Sequence, residues 1–393
     1  MSIAAPVKSL YIHVPFCAAK CHYCAFFSAA PSGDLVNRYV RALIRELEIV
    51  AADLKPETIF FGGGTPSLLN LAQWSQIFEA MHRLGLASAS EWTVECNPAT
   101  VSQDKAKLFV ESGVNRISMG VQSLDEALLE RLGRVHDRAM VFRSWDILQS
   151  AGFKSLNLDL MFAIPGQTRK VWQDTLREAV TLGSQHLSSY EVIYEEDTAL
   201  YAQMKAGEFD VDEDLACAQY EDLVEAAQAA GFSQYEVANF ARGGTSDPAG
   251  IPTWACRHNI NYWRGGSYHG LGPSAAGFID GVRTKNWSNT QLYCEQLEAG
   301  RRAIESHEDL TPVARAGELA GFGLRMNAGW PFQDFHAATG FDLRATWPEA
   351  MAQLVNDGLA VQTKDRFRLT PRGLRFADAA ASEFLVLTET ADR

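Results

Sequence analysis

Near its N-terminus the sequence reads Leu10-Tyr-Ile-His-Val-Pro-Phe-Cys-Ala-Ala-Lys-Cys-His-Tyr-Cys24, an apolar run followed directly by three cysteines spaced C-x-x-x-C-x-x-C. Cysteine is the usual ligand of iron–sulfur clusters, and a cubane cluster has one more iron than this loop has thiolates. We therefore predict that Cys17, Cys21 and Cys24 ligate an iron–sulfur cluster in which one metal position stays open.

Two other roles for this triad stay open at this point. Structural zinc prefers four ligands, and only His13 and His22 are near enough in sequence to complete such a site. A disulfide is disfavoured, because three cysteines cannot pair among themselves and no secretory signal precedes them. The other cysteines are scattered singly, and we expect them to pack as small apolar residues: Cys96, Cys217, Cys256 and Cys294.

Beyond the cysteines, short β-rich runs alternate with longer amphipathic runs, which indicates βα units around a parallel sheet. The predicted strands are 10–14, 58–61, 92–95, 116–119, 155–160 and 186–191. The predicted helices are 35–52, 71–84, 102–112, 140–151 and 171–182. Six such units predict an α/β protein with an open, TIM-like partial (β/α)6 barrel.

Polar and glycine-rich segments follow these strands. The cysteine loop follows the first strand, Gly62-Gly-Gly-Thr-Pro66 the second, Glu95 ends the third, Gln122 follows the fourth and Asp159 lies near the end of the fifth. In such barrels the chemistry collects on loops at the carboxyl ends of the strands. We therefore expect one site at one face, where glycines without side chains let a ligand approach the backbone.

The pattern changes after Gly231. A loop at 242–252 is followed by a Trp-, His- and Gly-rich segment at 254–277 and a mostly helical tail from 291. Residues 358–370 predict a two-stranded wing, hence a small winged-helix-like domain. The predicted domains are 1–240 (barrel), 241–295 (connecting segment) and 296–393 (winged-helix-like).

Composition narrows the function classes. Of 393 residues, 47% are hydrophobic and 21% charged, which is typical of a soluble globular protein. No apolar run approaches the ~18 residues of a membrane span, so we expect a cytoplasmic protein and leave peripheral attachment to a membrane open. The net charge of −13, without a stripe of Lys and Arg, argues against nucleic-acid binding.

The triad and the glycine segment together resemble the radical S-adenosylmethionine (SAM) superfamily. The resemblance implies a four-iron four-sulfur cluster on the three cysteines, whose open iron chelates SAM and whose reduction cleaves it to a 5′-deoxyadenosyl radical. It also implies that the glycine segment meets the methionine amino group and that Glu95 is an acidic SAM contact. The predicted SAM residues are Tyr11, Tyr23, Gly63, Gly64, Thr65, Glu95, Gln122, Arg134 and Asp159.

Within that superfamily the chain resembles the oxygen-independent coproporphyrinogen III oxidase family over nearly its whole length. The matching segments are Tyr11-Ile-His-Val-Pro-Phe-Cys17, Phe61-Gly-Gly-Gly-Thr-Pro66, Ser118-Met-Gly-Val-Gln-Ser123, Leu132-Gly-Arg-Val-His136 and Asn157-Leu-Asp-Leu-Met161. The resemblance implies that Gln122, Arg134 and Asp159 line a second SAM or substrate position. Read from the residues alone, they are equally a helix-cap amide, a surface ion pair and a buried hydrogen-bonded carboxylate.

Two departures from the oxidases point to the haem-chaperone (HemW) branch. The oxidase motif continues to a further cysteine where this chain has Phe26, and only sixteen residues precede Cys17. A third feature is the H-N-x-x-Y-W pattern, which the resemblance associates with haem. The predicted haem-binding residues are His258, Asn259, Tyr262 and Trp263, with Cys256 and His269 as alternative ligands. The competing interpretation is that these aromatics pack in a lid over the barrel mouth.

We expect a haem chaperone that binds the cluster, SAM and haem as cargo, and delivers haem to acceptor proteins. The alternative is an oxidase that decarboxylates coproporphyrinogen III, and a third option is a radical SAM methyltransferase, so enzymatic activity stays open. If SAM is cleaved, an electron donor such as a flavodoxin or ferredoxin is needed.

Overall fold

Six parallel strands, adjacent in chain order, form the centre of the protein. The structure is a computed structural model that describes residues 5–245 and 250–385; residues 246–249 of the predicted loop at 242–252 lie outside it. The strands are β1 Val7–Val14, β2 Leu54–Gly63, β3 Glu91–Cys96, β4 Arg116–Gln122, β5 Ser155–Phe162 and β6 His186–Glu191. Each pairs in parallel with the next, and each contains the predicted strand.

Helices connect these strands. They are α1 Leu35–Val50, α2 Leu71–Arg83, α3 Gln103–Ser112, α4 Glu126–Arg131, α5 Arg138–Ala151, α6 Arg169–Thr181, α7 Ala199–Lys205 and α8 Glu213–Ala229. The five predicted helices are confirmed. Their starts follow from capping: Asn70 forms a capping box with Gln73 before α2, and the Thr168 hydroxyl accepts a backbone N–H at the start of α6.

Residues of each strand alternate between two faces. Leu10, Ile12 and Val14 are fully buried in the main apolar core, which also contains residues of the surrounding helices. The intervening residues face the barrel interior, where the Ser9 hydroxyl lies 2.7 Å from that of Thr58. The interior of the barrel is therefore polar, and the apolar core lies between the sheet and the helices.

Both edges of the sheet extend beyond the predicted barrel. Strand β7 Ser233–Glu236 pairs antiparallel with β8 Asn239–Ala241, which adds antiparallel to β6. After α9 Arg257–Trp263, β9 His269–Leu271 adds in parallel to β1. The result is a nine-stranded sheet of order β7-β8-β6-β5-β4-β3-β2-β1-β9.

The segment after β9 is more β-rich than predicted. Strands β10 Ala276–Ile279, β11 Val282–Asn286 and β12 Ile304–Asp309 form an antiparallel sheet, with α10 Thr290–Glu298 between the last two. The prediction of a mostly helical tail from 291 missed β12. That strand is almost entirely exposed, so it lacks the apolar alternation by which strands are predicted.

The remaining residues form a helical unit with a small sheet and a separate apolar core that includes Phe335, Trp347 and Phe367. Its elements are α11 Pro312–Leu324, β13 Trp330–Pro331, α12 Phe332–Thr339, α13 Leu343–Thr346, α14 Pro348–Asn356, β14 Ala360–Gln362, β15 Arg366–Leu369, α15 Pro371–Leu374 and α16 Ala377–Ser382. Antiparallel β14 and β15 are the predicted wing. The predicted domain boundaries at 240 and 295 stay predictions. Within residues 5–245 and 250–385, no helix has the length and apolar character that crossing a membrane requires.

Candidate functional site at the barrel mouth

The cysteine loop, residues 17–29, leaves the end of β1 and returns beside it. The backbone N–H of Cys17 donates to the Ala29 carbonyl at 3.1 Å, which closes the loop. Nε2 of His13, a residue of β1, donates to the carbonyl of Phe27 within the loop at 2.9 Å. The three cysteines are free thiols, each partly exposed.

His22 is the second anchor of this loop. Its Nδ1 donates to the Arg131 carbonyl at 2.9 Å, so both histidines near the triad are occupied in holding backbone. No group of three or more Cys, His, Asp or Glu side chains in the described residues is close enough to hold a single metal ion. In an iron–sulfur cluster each thiolate binds a different iron, so the cysteines need not converge on one metal ion.

Two of the sulfurs have side-chain partners. The Cys17 sulfur lies 3.5 Å from the Thr65 hydroxyl, and Nη1 of Arg134 donates to the Cys21 sulfur at 3.3 Å. Burial raises the pKa of the Cys24 thiol. Hydrogen bonds of this kind are those that a ligating thiolate accepts.

A cavity of about 730 Å³ opens beside these sulfurs, at the carboxyl end of the barrel. Besides the three cysteines its wall contains, of the predicted SAM residues, Tyr23, Gly63, Gly64, Thr65, Glu95, Gln122, Arg134 and Asp159. The strand ends therefore do share one site, which we call the mouth. The binding roles of the individual residues stay predictions.

Tyr11 is the predicted SAM residue that does not line the mouth. Its hydroxyl lies 3.1 Å from Nδ1 of His13, the ring that holds the Phe27 carbonyl. Tyr11 points inward on β1, two residues before His13 and farther from the carboxyl end. Tyr11 therefore contacts the ring that holds the cysteine loop, and its predicted SAM contact stays a prediction.

Other residues of the wall were not predicted, among them Lys20, Val135, Tyr190, Glu191 and Ile193. Tyr190 and Glu191 end β6. The expectation that residues at the carboxyl ends of the strands share one site was applied to the first five strands, and it identifies these two residues when it is extended to the sixth. Val135 and Ile193 lie on loops and carry no such signal.

The glycines of the mouth are required by chain packing. A Cβ on Gly63, whose φ is +103°, would stand 2.5 Å from the His13 ring. A Cβ on Gly64 would stand 2.7 Å from the Phe16 carbonyl oxygen, and the Gly64 N–H donates to the Val14 carbonyl at 2.8 Å. The close approach at these glycines is therefore made by the end of β1 and by Phe16, just before the cysteine loop.

Two carboxyl groups of the mouth wall belong to the strands β3 and β5. Burial, reinforced by the charge of nearby Asp159, raises the pKa of Glu95 to about 8, and a hydrogen bond from the Gly63 N–H opposes the shift. Burial also raises the pKa of Asp159, while donors on Ser118 at 3.0 Å and Asn157 at 2.7 Å lower it. A ligand that brings positive charge or hydroxyl donors would stabilise the ionised form of these carboxyl groups.

Gln122 reaches the mouth through a local distortion of β4. The register between β4 and β5 slips between Gly120 and Gln122, and Gln122 has a φ of +65°. A bulge at a strand end redirects a side chain, and a left-handed non-glycine residue costs of order 1–3 kcal/mol. The backbone strain therefore lies at a residue, Gln122, whose polar side chain lines the cavity.

Comparison with known proteins identifies the family. Residues 11–179 match the radical SAM superfamily, and residues 310–376 match the HemN C-terminal domain. The heme chaperone HemW of Bacillus subtilis is 34% identical and aligns with 96% of this chain and 99% of its own length. The heme chaperone HemW of Escherichia coli is also 34% identical, over 97% of this chain and 98% of its own. The chain belongs to the HemW family.

One solved structure agrees with this HemW-family chain over almost its full length. The coproporphyrinogen III oxidase HemN of Escherichia coli superposes with a TM-score of 0.84, covering 98% of this chain and 91% of its own at 22% identity. At that identity the likeness establishes a shared radical SAM fold.

The residues predicted to bind haem in this HemW-family chain lie elsewhere, on α9. Nδ1 of His258 lies 3.1 Å from the Ser9 hydroxyl and 3.0 Å from that of Thr58. Its Nε2 lies 2.8 Å from the Tyr262 hydroxyl, and its ring stacks on Phe60 at 5.2 Å between centroids. The side chain is 1% exposed, and burial lowers its pKa to about 3. His258 is a neutral, fully engaged interior residue.

Glu91 fixes the start of α9. Its two carboxylate oxygens accept the backbone N–H groups of the first two residues of the helix, each at 2.9 Å. Thr58 pairs with both Ser9 and Glu91 in the sheet, and Glu91 precedes the mouth residue Glu95 by four positions. Helix α9 therefore lies across the amino end of the barrel. The interpretation as a lid over the mouth is wrong in position, although the aromatic residues do pack.

The other haem candidates do not converge on one open surface. Asn259 and Trp263 are half-buried, and Trp263 packs against Phe322 near the end of α11. The alternative ligands Cys256 and His269 are both buried. Haem ligation by α9 stays a prediction, and it would require His258 to give up a present hydrogen bond.

Proposed function

We propose that the protein is a haem chaperone that holds a four-iron four-sulfur cluster and SAM at the mouth, binds haem and delivers it to acceptor proteins. The observation that carries the cluster and SAM assignment is the single cavity lined by the three cysteines and the strand-end residues. The haem assignment is supported by near-full-length similarity to relatives named heme chaperones.

Cys17, Cys21 and Cys24 would hold the cluster. When bound, the cluster supplies an open iron for SAM and an electron for its reduction. The chain contributes the rest: His13 and His22 fix the loop, while Glu95 offers a carboxyl group to the ligand. An electron donor such as a flavodoxin or ferredoxin would be a partner, and we place the protein in the cytoplasm, with peripheral contact to a membrane open.

Phe26 favours a chaperone over the oxidase. It stands where the oxidase motif has a further cysteine, and its side chain is 70% exposed on the mouth wall. An aromatic side chain in that position offers flat apolar surface and provides no thiolate. A bound tetrapyrrole or a partner protein would be the natural contact of such a residue.

For haem, His258 is the proposed ligand. A metal-bound imidazole must be neutral, and burial already keeps this ring neutral at physiological pH. Ligation through Nε2 would replace the hydrogen bond to Tyr262, so we propose that haem binds a state in which α9 has moved.

One sample tests these assignments together. The protein is reconstituted anaerobically, assayed for iron and sulfide, titrated with haem, and incubated with coproporphyrinogen III, SAM and reductant. We expect full cluster content, saturable haem binding and no protoporphyrinogen IX. Decarboxylation would overturn the chaperone in favour of the oxidase, and absence of haem binding would contradict the proposal outright. SAM-dependent methylation would indicate the methyltransferase instead.

A further inference from the structure

The three cysteine sulfurs receive different kinds of hydrogen bond. Cys17 faces the neutral hydroxyl of Thr65 at 3.5 Å, and Cys24 has the backbone N–H of Phe26. Cys21 has a charged partner, since Nη1 of Arg134 donates to its sulfur at 3.3 Å. The electrostatic environment of the loop is therefore asymmetric.

Arg134 is held in this position from the other side. Its Nη2 donates to the Gly120 carbonyl at 2.7 Å, so one planar guanidinium bridges the end of β4 and the cysteine loop. A Cβ on Gly120 would stand 3.4 Å from Nη2, which leaves little room for a larger residue there. The rigid fork of arginine suits such a two-point bridge better than the flexible ammonium of lysine.

The charge of Arg134 is not neutralised by a carboxylate. Among the ion pairs formed within the described parts of the chain, none includes Arg134. Its hydrogen bonds go to the Cys21 sulfur and to the neutral Gly120 carbonyl, so its positive charge lies beside the cysteine loop.

We propose that Arg134 raises the reduction potential of the cluster by donating a charge-assisted hydrogen bond to the Cys21 sulfur. Reduction adds one electron to a cluster that already carries anionic thiolates, and a nearby cation with an N–H···S bond stabilises the reduced form more than the oxidised form. The inference rests on the proposed cluster. It gives Arg134 a positioning and tuning role that operates before SAM binds, separate from its predicted SAM contact.

The test is the potential of the reconstituted cluster without SAM, measured by redox titration followed by electron paramagnetic resonance (EPR). Arg134→Met should shift the potential downward. Thr65→Val, which removes a neutral hydroxyl, should shift it downward by less. The matched control is Arg138→Met: Arg138 is exposed and paired with Glu178 at the start of α5, so its loss should leave the potential unchanged.

Iron and sulfide content is measured first in each variant. An unchanged potential in Arg134→Met at full cluster content overturns the inference and leaves the proposed cluster intact. If Arg134→Met assembles no cluster, Arg134→Gln, which removes the charge and keeps an N–H donor, is held to the same criterion. A wild-type protein without a cluster contradicts the proposed function, and the inference with it.

Discussion

The two ends of the barrel use polar residues in opposite ways. At the carboxyl end Glu95, Arg134 and Gln122 line a cavity of about 730 Å³ and retain hydrogen-bonding capacity toward it. At the amino end Glu91 and His258 are buried and bonded to neighbouring chain groups. A ligand at the mouth would find polar groups that line a cavity, whereas a ligand at the amino end would first have to break hydrogen bonds within the chain.

A buried chain of hydrogen bonds connects the two ends. Asp159 at the mouth accepts from Asn157, whose amide oxygen lies 2.7 Å from Nδ1 of His186. Nε2 of that ring lies 2.8 Å from the Tyr235 hydroxyl, which accepts the backbone N–H of Cys256 just before α9. The polar interior is thus a scaffold shared by both ends.

The largest effect is expected from the cysteines. Replacement of Cys17, Cys21 and Cys24 together by Ala should abolish cluster assembly, because these thiolates are the proposed protein ligands. Cys217→Ala and Cys294→Ala should retain it, since an isolated thiol acts mainly as a small apolar group. Iron and sulfide analysis measures both, and full content in the triple variant would rule out the mouth as the cluster site.

Substitution in the glycine segment comes next. Gly63→Ala and Gly64→Ala should weaken SAM binding and also reduce cluster content, because the new methyl groups would clash with the His13 ring, which holds the cysteine loop, and with the Phe16 carbonyl just before that loop. We expect a loss of about 1–3 kcal/mol in unfolding free energy from the clash. Equilibrium dialysis and denaturant unfolding measure the two effects.

Gly152→Ala is a control that separates the cost of a positive φ from the cost of a steric clash. Gly152 also has a positive φ, +86°, but a Cβ added there would meet no atom within 4 Å. It should lose stability and leave SAM binding intact. Equal SAM affinities in all three variants would remove the glycine segment from the site.

At the amino end the expected effect is smaller and of opposite sign. Ser9→Ala with Thr58→Val removes the one hydrogen bond that Nδ1 of His258 shares between the two hydroxyls, worth about 0.5–1.5 kcal/mol. If haem requires α9 to open, the double variant should bind haem roughly three- to tenfold more tightly. His258→Ala should weaken binding and shift the haem absorption spectrum.

Spectrophotometric titration measures these affinities. Ser144→Ala, which removes a buried hydrogen bond of 2.7 Å to the Pro98 carbonyl outside this cluster, should leave haem affinity unchanged. Unaltered affinity and spectrum in all variants would direct attention to Cys256 or His269 as the ligand.

The last effect concerns the pH dependence of stability. Because burial raises the pKa of Glu95 to about 8, the folded protein binds more protons at this group than the unfolded chain between its ordinary pKa and about 8. Its ionisation therefore destabilises the fold progressively as pH rises through that window. Glu95→Gln should stabilise the cluster-free protein increasingly from pH 6 to pH 8, as followed by urea unfolding. A pH-independent difference would contradict the raised pKa.

The mouth was predictable from sequence because its signals are local. Cysteine spacing, the glycines and the strand-end rule each act within a few residues, and parallel strands bring their carboxyl ends together without further information. Tyr11 carries no such local signal, and its predicted SAM contact rests on the family resemblance alone.

The amino end was not predictable in this way. The H-N-x-x-Y-W pattern contains no information about which end of the barrel it covers, and the carboxylate of Glu91 that fixes α9 is 167 residues away from His258 in the chain. The short strand β9 and the exposed strand β12 also depend on pairing with distant partners, since their own residues carry no clear period.

The most direct test of the contrast between the two ends is the EPR spectrum of the reduced cluster with and without SAM. We expect that SAM changes the spectrum, because a cluster held by the three cysteines would share its cavity with Glu95 and the other predicted SAM residues, and that Ser9→Ala with Thr58→Val gives the same change. A spectrum that SAM leaves unchanged in fully loaded wild-type protein would contradict the assignment of the mouth.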